Sequence, residues 1–268
     1  MAHRTLGGDR SSWSGRTYPE IDDVAEKEGS ILVLPIGSIE QHGHHLPTAT
    51  DTILVDAIAQ HGAERVSEDV PLLVTEPLWA GYSPHHQSIG GTLTLEFDTL
   101  LRAVEDLAAG AVDLGFDALV LLNGHGGNIS LVNAAVSTIG TEHDTVEVSS
   151  LTYFQLANSF IDEIRDSGAG GISHGGEFET SLMLHLRPDL VREDEIRRTY
   201  GTEPYDHASV EMFDNGPLSV YRPFEEYSET GEIGDPELAD AEKGADLFDQ
   251  LLDELEVVLT QIHENNRN

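Results

Sequence analysis

The chain has 268 residues and no cysteine, and its 49 acidic against 14 basic residues give a formal net charge of −35. The length fits one large domain, and the lack of cysteine excludes thiolate metal ligands and thiol nucleophiles. The acidic surplus excludes partners that are bound through basic patches, namely nucleic acid and anionic membrane surfaces.

The same surplus predicts the environment in which the protein works. Molar salt shortens the Debye length to about 3 Å and so screens the self-repulsion of a highly charged fold. We therefore expect adaptation to a salt-rich cytoplasm, with most of the charge on a solvated surface. No apolar run approaches about 18 residues and the N-terminus does not resemble a signal peptide, so we expect a soluble, cytoplasmic protein.

The predicted elements alternate between strand and helix along the chain. Residues 1–28 are polar and are predicted to be an N-terminal arm, with Trp13 docking on a single domain from 29 to 268. The elements that follow are a strand at Ile31–Ile36, a helix at Thr52–Val66, a strand at Pro71–Val74, a helix at Glu96–Leu114, a strand at Asp117–Leu122, a helix at Ile129–Ile139, a strand at Thr145–Leu151, and helices at Gln155–Ile164 and Phe178–Leu186. Such alternation predicts a parallel sheet covered by helices on both faces.

The C-terminal part of the chain departs from this alternation. Residues 200–235 are rich in Gly, Pro, Tyr and Glu and are predicted to be a long ordered loop. Apolar residues between Phe248 and Ile262 recur at helical spacing, so a final helix within Pro236–His263 is predicted to pack on the body.

The most informative loop follows the first predicted strand and reads LPIGSIEQHGHHLPTATD, from Leu34 to Asp51. It carries Glu40, His42 and Asp51, and two carboxylates with an imidazole are ligands that a divalent metal of borderline hardness accepts. The alternative is that these are ordinary polar loop residues. The glycines and prolines around them favour a loop of fixed shape and hence a metal site.

Two further polar, glycine-rich loops come at the ends of apolar elements. The first, Asn123–Asn128, contains His125 and lacks the lysine and spacing of a phosphate-binding P-loop. The second, from His174 to Ser181, precedes an apolar run and is predicted to begin a helix. Open α/β sheets collect their ligands at such loops, so the three loops together predict one active site.

Four segments of the chain resemble the signature blocks of the creatininase family of metal-dependent amidohydrolases. They are PIGSIEQHGHHLPTATD, NGHGGN, HGGEFETSLML, and GTLTL at 91–95. The resemblance covers roughly residues 30 to 190. It implies an α/β fold, a three-layer αβα sandwich with a mainly parallel sheet. It also implies two divalent metal ions per chain (Zn, Mn or Fe), hydrolysis of a carbon–nitrogen bond outside ordinary peptides, and a homo-oligomer, a hexamer.

The resemblance implies roles for individual residues. Glu40 and His125 would hold one metal, His42 the other, and Asp51 would bridge the two. A water between two such ions loses a proton near neutral pH and becomes the nucleophile. His174 is the candidate for protonating the leaving amine.

One departure from the family concerns the second metal. Creatininases proper carry a glutamate ligand two residues after the histidine that matches His125, and this chain has Gly127 there. We expect Glu177 to complete the second site, as a ligand or by orienting the water, with Glu179 as the fallback. Alternatively, both glutamates only favour the dipole at a helix N-terminus.

The expected substrate contacts are Ser83, His86 and Gly126, the first two because they match positions near the family's pocket. A second departure concerns the substrate itself. Creatininases proper shield a flat ring with tryptophans, whereas the corresponding stretch of this chain is the glycine run around Gly168–Gly171. This favours a formamide or other small amide over creatinine.

Three alternatives remain at this level. The first is a deformylase of a formylamino-pyrimidine nucleotide in flavin or deazaflavin synthesis, for which an arginine near the phosphate is expected. The second is creatinine amidohydrolase proper. The third is a catalytically silent metal-binding subunit, which the intact set of Glu40, His42, Asp51 and His125 disfavours.

Overall fold

The computed structural model describes residues 11–201, 205–209, 211–213 and 217–267. Four strands form one sheet: β1 (Ile31–Ile36), β2 (Leu72–Val74), β3 (Ala118–Asn123) and β4 (Glu147–Thr152). Their order across the sheet is β2-β1-β3-β4, and all three neighbouring pairs are parallel. The predicted parallel sheet is confirmed. The two central strands, β1 and β3, are buried along their whole length.

Helices cover both faces of this sheet. They are α1 (Tyr18–Ala25), α2 (Thr50–Val66), α3 (Phe97–Leu114), α4 (Ile129–Glu142), α5 (Ile161–Ile164), α6 (Glu177–Leu186) and α7 (Ala241–Asn265). Successive side chains of a strand point to opposite faces. Ile31 and Val33 therefore join the core beneath α2, α6 and α7, while Leu32 and Leu34 join the core beneath α1, α3 and α4. The molecule is the three-layer sandwich that was predicted.

The N-terminal segment packs against the rest of the domain. Trp13 docks on Phe116 with ring centroids 6.2 Å apart, and Ser12 forms a bridge with Val74. Ile21 and Ala25 of α1 belong to the apolar core. Residues 1–10 of the predicted arm lie outside the described residues.

The predicted helix at Gln155–Ile164 is a 3₁₀ segment, Tyr153–Ser159, followed by the short α5. The Ser159 hydroxyl lies 3.2 Å from Leu156 O and 2.9 Å from the Glu254 carboxylate, and side-chain bonds of this kind compete with a continuous helical ladder. In the described part of residues 200–235 the only helical segment is the 3₁₀ turn Phe224–Glu226. None of the described helices is long and apolar enough to cross a membrane.

Candidate metal centre

The three polar loops meet at the carboxyl ends of β1 and β3. Residues 37–49 connect β1 to α2, and Asp51 lies in the first turn of that helix. A Cβ on Gly124, directly after β3, would lie 2.6 Å from Val55 Cβ and 3.0 Å from Asp51 O. Glycine is therefore needed for the end of β3 to approach α2. This close approach brings His125 next to Asp51.

Two sets of donor atoms share Asp51. In the first set, Nδ1 of His125 lies 3.1 Å from Glu40 Oε2 and 3.2 Å from Asp51 Oδ2. In the second set, Nε2 of His42 lies 3.0 Å from Asp51 Oδ1 and 3.8 Å from Glu179 Oε1. All five side chains are buried, and within each set the donor atoms lie within 4.8 Å of one another. Each set is thus a buried group of carboxylate and imidazole donors of a size that could hold one metal ion.

The charges of these groups fit a site built for cations. Burial lowers the pKa of His125, but Glu40 and Asp51 outweigh this effect and raise that pKa to about 10. Burial likewise opposes the charged form of His42, whose pKa is nevertheless raised well above its ordinary value by Asp51 and Glu179. Asp51 Oδ2 is buried 3.2 Å from His125 Nδ1, in a geometry that does not make a hydrogen bond. Carboxylates that raise the pKa values of neighbouring imidazoles also attract a divalent cation, and such a cation would displace protons from the imidazoles.

Glu177, which the sequence analysis expected to complete the second site, is not part of either set. Its carboxylate accepts hydrogen bonds from the backbone N–H groups of Asp166, at 2.8 Å, and Ser167, at 2.9 Å, and it pairs with Lys243 Nζ. Burial raises the pKa of Glu177, but these partners lower it below its ordinary value. On a helix, side chains two positions apart point in directions that differ by roughly 200°. Glu179 therefore faces His42, while Glu177 faces α7.

The geometry around Gly127 explains why the second set draws its carboxylate from α6. A Cβ on Gly127 would overlap the His125 ring and lie 2.5 Å from Tyr82 O. Any side chain at this position requires the backbone near Tyr82 to move. The Glu179 carboxylate stands next to His42 instead, held by a 2.6 Å hydrogen bond from the N–H of Gly175.

Two of the three predicted substrate contacts, Ser83 and His86, lie against the donor sets. Ser83 is fully buried, with its Oγ 2.6 Å from Ser38 Oγ and 3.0 Å from His125 Nε2. His86 borders the cavity, but its Nε2 lies 3.2 Å from Glu40 Oε1 and its Nδ1 accepts from Gln41 Nε2 at 2.9 Å. Gly126 lines the cavity.

His174 lies beside the donor sets with its two nitrogens in different environments. Its Nε2 donates to Gln41 O at 2.5 Å, while its Nδ1 lies 3.6 Å from Glu40 Oε1. A backbone carbonyl only accepts hydrogen bonds, so the proton of the neutral ring sits on Nε2. Burial and the neighbouring His42 lower the pKa of His174 well below its ordinary value. Nδ1 is therefore an unprotonated nitrogen that faces the centre.

Sequence reasoning missed the residues that order this arrangement. Gln41 donates through Nε2 to His86 Nδ1 and to Gly231 O, both at 2.9 Å, and so ties the first loop to the long loop at 200–235. Phe224, from that long loop, stacks on His86 with ring centroids 4.0 Å apart. The position of Gln41 between Glu40 and His42 was a usable signal. No pattern in the sequence marked Phe224.

The donor sets open into a cavity of about 290 Å³. The aromatic side chains of Phe154, Phe224 and Tyr227 contribute to its walls, together with Met212 and Glu211. No lysine or arginine occurs among the described residues that line it.

Comparisons with known proteins agree with this architecture. A sequence model of the creatininase family, described as creatinine amidohydrolase, matches residues 14–259. The mycofactocin precursor peptide peptidase of Mycobacterium tuberculosis is 32% identical over 83% of this chain and 82% of its own length. The creatinine amidohydrolase of Pseudomonas putida is 34% identical over 67% of this chain and 73% of its own length. A crystal structure of creatinine amidohydrolase superposes with a TM-score of 0.82 at 27% identity, covering 94% of this chain and 97% of the other.

Proposed function

We propose that this chain, which belongs to the creatininase family of amidohydrolases, hydrolyses the carbon–nitrogen bond of a small, non-peptide amide at a centre of two divalent metal ions. One observation carries the proposal. Asp51 directs Oδ1 toward His42 and Oδ2 toward His125, so that a single carboxylate belongs to two donor sets. A carboxylate shared in this way is the arrangement that a two-metal hydrolase requires.

Each donor set would hold one of the two ions. Glu40 and His125 would hold one ion, His42 and Glu179 the other, with Asp51 between them. When bound, the two ions supply an activated water and a Lewis acid for the carbonyl oxygen. Imidazole and carboxylate donors suit zinc, manganese and iron alike, so any of the three fits.

His174 would move the proton that the reaction needs. Its Nε2–H is held by Gln41 O, and its Nδ1 faces the donor sets as an acceptor. In the proposed mechanism Nδ1 takes a proton from the attacking water and then delivers it to the leaving nitrogen, so His174 begins as a base and ends as the acid. The Gln41 carbonyl holds the ring in the orientation that both transfers use.

The cavity lining bears on the substrate. A nucleotide substrate calls for a basic side chain near its phosphate, and the described lining contains none, which weighs against the deformylase alternative. Trp79 is 55% exposed and lies outside the lining, but Phe224 and Tyr227 provide aromatic surface there. A flat cyclic amide such as creatinine therefore stays a second candidate beside formamides and other small amides.

Metal analysis and a substrate screen test this proposal. We expect about two divalent ions per chain after purification in molar KCl. We also expect release of ammonia, amine or formate from a member of a panel containing creatinine, formamides and small linear amides. Chelation should abolish the release, and zinc, manganese or iron should restore it. A protein that takes up no metal would refute the proposal, whereas bound metal with no hydrolysis across the panel would favour the silent metal-binding subunit.

We further propose a homo-oligomer, a hexamer, working in a salt-rich cytoplasm. With a formal charge of −35 per chain, subunit contacts at low ionic strength oppose strong repulsion. Sedimentation and thermal unfolding from dilute buffer to molar KCl should show assembly and melting temperature rising together. A stable oligomer of unchanged size in dilute buffer would contradict the salt dependence.

A further inference from the structure

His85 differs from the other histidines around the metal centre. His42, His86, His125 and His174 each have at least one ring nitrogen within hydrogen-bonding distance of a protein oxygen or amide nitrogen. His85 lines the same cavity, yet within the described part of the chain neither of its nitrogens has a hydrogen-bond or ion-pair partner, and it belongs to none of the donor sets.

The position of the His85 ring is well defined by its neighbours. It stacks parallel to the His125 ring, with centroids 5.9 Å apart and 12° between the planes. It also contacts His86, with centroids 4.3 Å apart, and faces Phe224 at 6.0 Å. These contacts use the faces and edges of the ring and leave its nitrogens unused. The ring thus sits beside a proposed metal ligand, at the wall of the cavity where a substrate would lie.

An amide complements such a ring chemically. A neutral imidazole offers one donor and one acceptor, and an amide offers a carbonyl acceptor and, where the nitrogen carries hydrogen, a donor. His85 is half-buried at the cavity wall, and a substrate that covers the ring would shield its nitrogens from water. Because a polar group buried without a partner is costly, a substrate that hydrogen-bonds to the ring is favoured.

We infer, on the basis of the proposed function, that His85 is the substrate-binding residue of this wall and hydrogen-bonds the amide beside His125. It takes the role that the sequence assigned to its neighbour His86, whose nitrogens are occupied by Gln41 and Glu40. His85 thereby contributes to specificity, because a site that bonds a polar group of its substrate rejects analogues that lack this group.

Two substitutions at His85 test the inference. His85→Phe keeps a flat ring against His125 and removes both nitrogens, while His85→Asn restores one donor and one acceptor. The probes are the amide hydrolysed fastest in the screen and acetohydroxamic acid, whose carbonyl and N–H groups offer the same acceptor and donor as an amide. His143→Phe is the matched control, since His143 follows α4 and lies in neither the cavity lining nor a donor set.

We expect His85→Phe to keep both metals and the wild-type melting temperature. It should lower kcat/KM roughly 5- to 150-fold, mainly through KM, and weaken acetohydroxamate binding by a similar factor, the range for losing one buried hydrogen-bond partner. His85→Asn should recover part of both losses, and His143→Phe should behave as wild type.

Two outcomes would overturn the inference. The first is His85→Phe with both parameters within twofold of wild type. The second is loss of metal or of thermal stability in both His85 variants, which would mean a structural role. A wild-type protein that binds no metal and hydrolyses no amide would instead refute the proposed function, and the role of His85 with it.

Discussion

Replacement of Asp51 by asparagine is expected to reduce hydrolysis to less than a tenth of wild type and to remove about one metal ion per chain. Asp51 places Oδ1 3.0 Å from His42 Nε2 and Oδ2 3.2 Å from His125 Nδ1, so each oxygen serves a different donor set. Asparagine offers one neutral oxygen and an NH₂ group that donates hydrogen bonds. It therefore cannot supply a ligand with full charge to both ions.

The measurement is metal content per chain by elemental analysis, together with hydrolysis of the amide found in the screen. Asp56→Asn is the control, because it makes the same chemical change five residues further along α2, outside the donor sets and the cavity lining. The Asp56 variant should keep both metals and its activity. An Asp51→Asn protein with both metals and more than a tenth of wild-type activity would rule out the bridging role.

Substitutions at the two glutamates of α6 are expected to have different effects, one on metal binding and the other on the stability of the fold. Glu179→Gln should lose the ion on the His42 side selectively and keep the ion held by Glu40 and His125, since a neutral amide oxygen is a much weaker ligand than a carboxylate. Glu177→Gln should keep both ions. It should cost about 2 kcal/mol or more in the free energy of unfolding, because it leaves the buried ammonium of Lys243 with weaker partners.

Lys243→Met distinguishes these effects further. It removes the ammonium that pairs with Glu177, so it should destabilise the fold without changing the metal content. Combined with Glu177→Gln, it should destabilise by less than the sum of the two single changes, because both remove the same interaction. Unfolding in denaturant and metal analysis of all four variants provide the test. Loss of the second ion from Glu177→Gln, with Glu179→Gln unaffected, would reverse the assignment.

The parallel sandwich was predictable because its signals are local. The apolar run Ile31–Ile36 is too short for a helix and is followed by a helical pattern, and the same holds for the strand before His125. Once the strands are parallel, their carboxyl ends lie at one edge of the sheet. The order of the strands along the chain therefore brings Glu40, His42, Asp51 and His125 close together, and these four residues lie in the two donor sets.

The orientation of individual side chains was decided by contacts between distant parts of the chain. Glu177 and Glu179 look equivalent in the sequence, and the choice between them depends on Lys243, which reaches Glu177 from α7. The sequence likewise does not distinguish the roles of His85 and His86. In the structure Gln41 donates a hydrogen bond to the ring of His86.

The sequence by itself determined the order of the elements and the chemical types brought to the sheet edge, because periodicity and turn residues act over a few positions. Only the tertiary structure decided which of two neighbouring acids or imidazoles faces the centre. That choice depends on helix rotation and on partners supplied by residues far away in the chain, such as Gly231 for Gln41 and Phe224 for His86. Local pattern carries no information about such partners, since each is selected by packing in three dimensions.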